Sequence, residues 1–417
     1  MRILFITENF PPETNAAATR VFERALYWVQ DGHDVTVITS APNFPQGKLH
    51  AGWKNKWYQA KFHEGIRVVR VKTYITANRG TARRLLDFLS FMITAFIAGL
   101  FEKRPNVIAA TSPQFFAAVC GCALGGVRRI PFVFELGDLW PASIIAVGAM
   151  RPSFYLRLLE KLELFLYRRS ACVVALTHAF KKNLIKRGIA AGKISVVING
   201  VDLWRYAPQS RDADLAQKWN LGNKFVFGYV GTHGMAHGLS NVLDAAKLLK
   251  DRDDIRFLLA GDGAERASLI VRAENSQLKN VVFLPPQSKE MMPKVWSLCD
   301  VALVHLKNSP AFAEVLPSKM FEAMGMGLPV LMALPEGEAT EILELDGAGI
   351  SVLPENPKAL ADAAQKLCDD KALLKKFQVQ SLAAAPLHSR EKQAQQMIHV
   401  LTAAAEGRGG SVGKSAP

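Results

Sequence analysis

Short apolar runs alternate with helical patterns along nearly the whole chain, and few folds accommodate that rhythm. In the second half, strands are expected at 225–230, 255–260, 281–284, 300–305, 328–333 and 349–353, each separated from the next by a helical pattern. Strand, helix and strand in that order require crossover connections, so the sheet is parallel with both faces covered. The first half obeys the same rule. Arg2–Thr7 and Val35–Thr39 flank a helical stretch that ends at Asp31-Gly32-His33. Further strands are expected at 66–72, 106–110, 131–136, 172–176 and 194–198. At 417 residues the chain exceeds one ordinary core, so the fold class is α/β with two Rossmann-like domains. The first is expected at 1–207 and the second at 208–387. A last helix, about 388–405, has no strand after it and is expected to pack back on the first domain. Residues 406–417 read as a disordered tail.

Two stretches interrupt this order. Residues 42–65 read as an irregular, basic and aromatic loop. Leu85–Phe101 is the most hydrophobic run, with Asp87 inside it and basic residues on both flanks. Its 17 residues are short for a membrane span, so a helix buried on the sheet is expected, with insertion of one exposed face as the alternative.

Charge separates the halves. Of the net +14, residues 1–207 hold +15, from 28 Lys and Arg against 13 Asp and Glu, and the remainder holds −1. Basic and aromatic residues are not interleaved as in a nucleic-acid module, so an anionic membrane surface fits the asymmetry at least as well. The helical stretch Ser153–Arg169, with Arg157, Lys161, Arg168 and Arg169 on its polar face, suits that partner, with a plain solvated face as the alternative. Five scattered cysteines give no disulfide framework, and the start lacks the order of a secretion signal, so a cytoplasmic location is expected.

The chemistry concentrates in Ala313–Ala333, AEVLPSKMFEAMGMGLPVLMA. Pro317 suits the first turn of a helix, which places Ser318 and Lys319 at a helix N-terminus favourable to an anion. Glu322 lies one turn further in, and a carboxylate there accepts hydrogen bonds from sugar hydroxyls. The pattern describes a nucleotide-sugar site; a plain amphipathic helix is the alternative. The loop GTHGMAHGL after the strand at 225–230 offers Gly231 and a second phosphate cradle, with His233 and His237 as its ring cations. Asp138 ends the strand at 131–136, where ligands of parallel sheets bind. Two D-x-D matches, at Asp212 and Asp251, fall in a linker and past a helix end, so no metal site is expected.

With Asn199-Gly200-Val201-Asp202, Ala260-Gly261-Asp262-Gly263 and the double α/β layout, the Glu314–Glu322 stretch resembles family 4 of the retaining glycosyltransferases. These have the GT-B fold, two Rossmann-like domains facing each other across a cleft. ENFPPETNAAATR, DGHDVTVITSAPNFPQG, ATSPQ and DLWP look more narrowly like the bacterial surface-polysaccharide branch, which serves O-antigen and capsule assembly. That resemblance implies transfer of an amino or deoxy hexose to an undecaprenyl-linked saccharide, by an enzyme peripheral on the inner face of the plasma membrane; the donor is expected to be a UDP-sugar, with a GDP-sugar as the alternative. It needs no cofactor or metal. It also implies that Glu314 meets the donor sugar, Glu322 the ribose, and Pro317, Ser318 and Lys319 the diphosphate, with Phe283 and Leu284 edging the base. Asp138, Glu314 and Lys319 would be the catalytic group. Three departures stand out. Thr232 and His237 occupy the places of the family's Arg and Lys, Gly137 replaces a histidine before Asp138, and Ala16–Ala18 replace a glycine pair. A nucleotide-sugar epimerase of the same fold, a basic nucleic-acid-binding protein and a non-catalytic sugar-binding protein are the competing functions.

Overall fold

The computed structural model describes residues 1–13, 15–44, 46–76, 81–112, 114–139 and 154–407. Most of the expected tail (408–417), Pro113, Trp140, Pro141 and the helix start at Ser153 lie outside the described residues. Contacts divide the chain into Met1–Asn199 with the segment from Arg390 onward, and Gly200–Ser389.

The first unit holds an eight-stranded sheet in the order β3-β4-β2-β1-β5-β6-β7-β8. The strands are β1 Arg2–Ile6, β2 Asp34–Ser40, β3 Tyr58–His63, β4 Ile66–Val71, β5 Val107–Thr111, β6 Phe132–Leu136, β7 Cys172–Ala175 and β8 Ile194–Val196. All neighbours pair in parallel except β3 with β4. Central strands such as β5 and β6 are buried at every position, which is why they read as continuous apolar runs. Strand β3 corrects the expectation of an irregular loop over 42–65. It is an antiparallel edge strand joined to β4 by Glu64 and Gly65, both at positive φ (50° and 78°). Two successive positive φ values make the tight hairpin turn. Lysine and histidine on this exposed strand hid its period of two.

On one face of the sheet lie the helices Thr81–Phe101, Phe115–Arg128 and Phe154–Arg169, sharing a core that includes Phe91, Ala95, Phe115, Leu124, Leu166 and Tyr167. The run Arg83–Phe101 is long and apolar enough to cross a membrane by length and composition. Only part of it is buried as expected: Phe91 and Ala95 face the core, whereas Ile93 (54%), Ile97 (50%) and Phe101 (83%) are exposed. Leu158 and Phe165 are likewise exposed beside Arg157 and Lys161.

The other face carries the helices Ala16–Gln30 and Arg390–Ala405, which share a core through Val21, Ala25, Trp28, Met397 and Leu401. Asn15 caps the first of these by accepting the Ala18 N–H at 2.9 Å, so Ala16–Ala18 form a helix's first turn. Trp28 Nε1 donates to the Ala394 carbonyl (2.9 Å) and Arg390 pairs with Glu23 (2.9 Å).

Beneath β6 lies a buried charge cluster. Glu135, fully enclosed, meets Arg24 at 2.6 Å and Arg20 at 3.1 Å. Burial pushes the Glu135 carboxyl up, but the two guanidinium groups outweigh it and hold it below its ordinary range. Arg24 is lowered by burial to about 10 despite Glu135.

The second unit has a six-stranded, all-parallel sheet in the order β11-β10-β9-β12-β13-β14. These are β9 Phe225–Val230, β10 Ile255–Ala260, β11 Val281–Leu284, β12 Val301–His305, β13 Val330–Ala333 and β14 Gly349–Val352. The order reverses between β9 and β12, the switch point at which open α/β sheets place ligands.

Replacing Glu135 with alanine would leave two buried guanidinium groups without a counter-charge, at a cost of about 3–5 kcal/mol. Thermal unfolding of Glu135→Ala is expected to show a clearly lowered first transition, and an unchanged melting profile would refute this account.

Candidate functional site at the switch point of the second sheet

The site is built where β9 and β10 end. The loop after β9 crosses the loop after β10 in direct backbone contact. Gly231 N–H donates to the Ala260 carbonyl (2.9 Å), His233 N–H to that of Asp262 (2.8 Å), and Glu265 N–H to that of His233 (2.9 Å). A Cβ on Gly261 would fall 1.9 Å from the Gly231 carbonyl oxygen, and one on Gly263 2.4 Å from that of His233. Both glycines have positive φ (141° and 157°), so Ala260-Gly261-Asp262-Gly263 is required by backbone packing and conformation together.

Above this crossing comes the helix Ser318–Gly325. Pro317 is its N-cap, one residue earlier than the first-turn position expected, and no side chain caps this end. Met320 N–H is taken by the Pro317 carbonyl at 3.1 Å, which leaves the N–H groups of Ser318 and Lys319 at the helix start, where an anion is favoured. The Lys319 ammonium does not extend into water. Its Nζ is enclosed, has no hydrogen-bond partner and sits 3.7 Å from the centre of the Tyr229 ring. It also lies 2.9 Å from where a Cβ on Gly231 would be, so glycine makes room for it. Burial lowers Lys319 to about 7, with Glu322 acting in the opposite sense.

Three histidines feel the charge of this ammonium. His233 is fully buried, with its ring centre 5.9 Å from that of Tyr229 and 6.5 Å from that of Phe283. Burial lowers it to about 4, assisted by Arg266 and Lys319. His237, in the place of a family lysine, is lowered by burial to about 3 and supplies no cation at neutral pH. His305, at the end of β12, fixes that loop: its Nδ1–H donates to the His237 carbonyl (2.7 Å), and its Nε2 accepts from Asn241 Nδ2 (2.8 Å). These partners require the neutral ring protonated on Nδ1.

Glu322 lies one turn into the helix and accepts from the indole N–H of Trp296 at 3.2 Å. Trp296 is fully buried on the helix Met292–Ser297. Phe283 turns its ring toward His233, whereas Leu284 is buried and offers only its carbonyl, which accepts the Gly261 N–H at 3.3 Å. Thr232 is exposed, its carbonyl accepting the Tyr229 hydroxyl at 2.8 Å. Glu314 is half-buried just before the helix. The second unit thus gathers Gly231, Thr232, His237, Phe283, Pro317, Ser318, Lys319 and Glu322 around one end of its sheet. Residues that sequence reasoning passed over are Tyr229, Trp296 and His305, whose roles depend on pairing across the sheet.

Asp138 belongs to the first unit, just beyond β6, where the Ser112 hydroxyl accepts the N–H groups of Gly137 (2.8 Å) and Asp138 (3.3 Å). A Cβ on Gly137 would lie 2.4 Å from the Ser112 carbonyl oxygen, so this backbone path has no room for the histidine that the resemblance, by the pattern of many members, would put there. The D-x-D matches have structural roles. Asp212 caps the helix Ala213–Lys218, and Asp253 pairs with Lys224 and Arg256. No group of three His, Cys, Asp or Glu suited to a metal occurs among the described residues.

Comparison with known proteins matches residues 17–205 to the family described as Glycosyltransferase Family 4, and 211–381 to Glycosyl transferases group 1. The putative colanic acid biosynthesis glycosyl transferase WcaI of Escherichia coli (strain K12) is 27% identical over 86% of this chain and 90% of its own. A GDP-mannose-dependent alpha-mannosyltransferase of Mycobacterium tuberculosis is 25% identical over 79% and 78%. Among solved structures, sucrose-phosphate synthase from Thermosynechococcus elongatus superposes with a TM-score of 0.78 at 18% identity, over 96% of this chain and 98% of that one. Anabaena HepE in complex with UDP and glucose gives 0.72 at 21%, over 96% and 99%.

Gly261→Ala is expected to break the loop crossing and weaken any ligand at this site by at least tenfold, whereas Gly222→Ala, with nothing within 4 Å of its Cβ, serves as the neutral control. Equal ligand-induced thermal shifts in the two variants would contradict the packing argument.

Proposed function

We propose that this chain, which belongs to family 4 of the glycosyltransferases and has the GT-B fold, moves an N-acetylamino or deoxy hexose from a UDP-sugar to a lipid-linked saccharide. The reaction retains anomeric configuration and uses no metal. The observation that carries this reading is the enclosed Lys319 ammonium beside an uncapped helix N-terminus at the switch point of the second sheet. Breaking a glycosidic bond to a nucleoside diphosphate builds negative charge on the leaving oxygens. Preorganised donors in a water-poor pocket stabilise such charge far better than water does. The amides of Ser318 and Lys319 and the Lys319 ammonium are the donors. Glu322, oriented by Trp296, takes the ribose hydroxyls, and Glu314 takes those of the sugar. Asp138 serves the acceptor side.

The nucleotide is the finer part of the proposal. Anabaena HepE is seen with UDP, whereas the mycobacterial relative depends on GDP-mannose. Thermal stabilisation against a panel of UDP- and GDP-sugars separates them, since a ligand at 100 times its Kd adds about 2.7 kcal/mol. The acceptor's lipid is supported by the first unit, where Ile93, Ile97, Phe101, Leu158 and Phe165 are exposed among basic side chains. That composition suits a cytoplasmic enzyme resting on an anionic leaflet.

Two outcomes are expected. Glu322→Ala and Lys319→Ala each lower turnover at least tenfold while the fold, followed by circular dichroism, is retained; wild-type rates in both would sink the assignment. The protein binds anionic vesicles in low salt and releases them as salt rises, whereas salt-independent binding to neutral vesicles would contradict the membrane role.

A further inference from the structure

The end of β9 gathers buried groups that lack the partners their chemistry demands, Lys319, His233 and the Nδ1 of His237 among them. Neither ring nitrogen of His233 has a hydrogen-bond partner although the residue is fully enclosed, and Lys319 Nζ has none either. Interiors seldom leave such groups unmet unless water, an ion or a ligand completes them. Neither His233 nor Lys319 is free to swing away. The His233 backbone is tied through both its N–H and its carbonyl to the loop after β10. The Lys319 ammonium is held between the Tyr229 ring and Gly231.

We propose that the donor's diphosphate is the missing partner of both groups, and that its arrival draws protons from solvent onto Lys319 and His233, so that donor binding and proton uptake are one event. This rests on the donor reading above and adds His233 to the residues that touch the donor. The physical cause is the shortage of compensating charge. Glu322 is the carboxylate that favours the charged form of Lys319, and burial outweighs it. The other titratable groups that face Lys319 or its neighbours are Tyr229 on β9, His233 and His237 after it, His305 on β12, Asp262 after β10, Arg266 on the helix Arg266–Asn275, and Glu355 toward His305. Two phosphate charges entering this enclosure reverse the balance, since an adjacent opposite charge favours the protonated form.

The sign follows from linkage. Burial holds Lys319 at about 7 in the empty site, and a dianion raises that value. Donor affinity is therefore fully developed below about pH 7 and falls by about tenfold per pH unit above it, until the raised value in the complex is passed. His233, held at about 4, takes up its proton on binding at lower pH, where Lys319 is already charged.

The test is isothermal titration with UDP-glucose and GDP-mannose, whose diphosphate diesters do not titrate near neutrality. It is run at pH 8 and pH 6 in buffers of different ionisation enthalpy. Uptake of about one proton is expected at pH 8, with a smaller residue at pH 6. Lys319→Arg, charged throughout, is expected to lose the uptake at pH 8 and to bind with a flat pH profile; His233→Asn is expected to lose the residue at pH 6. The wild-type measurement stands even if a variant does not fold. Binding with identical heats in the two buffers at pH 8 overturns this inference alone. Failure of both probes to bind at either pH counts instead against the donor reading.

Discussion

The carbonyl of Gly231 fills the space where a side chain at position 261 would begin, and the second unit's site depends on that contact. It brings the ends of β9 and β10 close enough for Ala260, Asp262 and His233 to exchange backbone hydrogen bonds. Those bonds in turn seat the His233 ring between Tyr229 and Phe283. The Lys319 ammonium lies over the same Tyr229 ring. Rigid backbone therefore does the positioning, and the functional side chains project from it with little freedom. Such preorganisation is what electrostatic stabilisation of a leaving group needs.

The first unit solves a different problem. Its sheet is apolar on both faces, yet it admits Glu135 with Arg20 and Arg24, and Glu23 with Arg390. Buried pairs of this kind add little net stability but cost much when broken. Arg20 also reaches the Thr111 hydroxyl at 3.1 Å, so the cluster ties the helix Ala16–Gln30 to the ends of β5 and β6. Those are the ends where Ser112 holds Gly137 and Asp138.

Much of this architecture is legible in the sequence because parallel strands are buried on both faces and so read as uninterrupted apolar runs. All six strands of the second sheet fall within two residues of their expected limits. Strand β3 escaped because it is an exposed edge whose turn uses Glu64-Gly65 rather than a more familiar turn pair. The site was only partly legible. Lys319 and Glu322 declare themselves through local spacing on one helix. Trp296 and His305 act through partners 26 and 64 residues away, and no spacing rule reaches that far. That Lys319 is enclosed, and so loses its ordinary basicity, depends on Tyr229 and Gly231, which lie on a different strand and loop.

The helix Arg390–Ala405 belongs to the first unit but is made after the whole of the second. Until it arrives, Trp28 lacks the Ala394 carbonyl, Glu23 lacks Arg390, and the face of the sheet around Val21 and Ala25 lacks its cover of Met397 and Leu401. Everything the second unit needs, by contrast, lies within one continuous stretch. During synthesis the second unit can therefore reach its final packing while its companion still exposes an unfinished core. The helix Arg390–Ala405 closes that core, so a chain stopped between the second unit and this helix keeps the half that holds Lys319 and leaves the other without its cover.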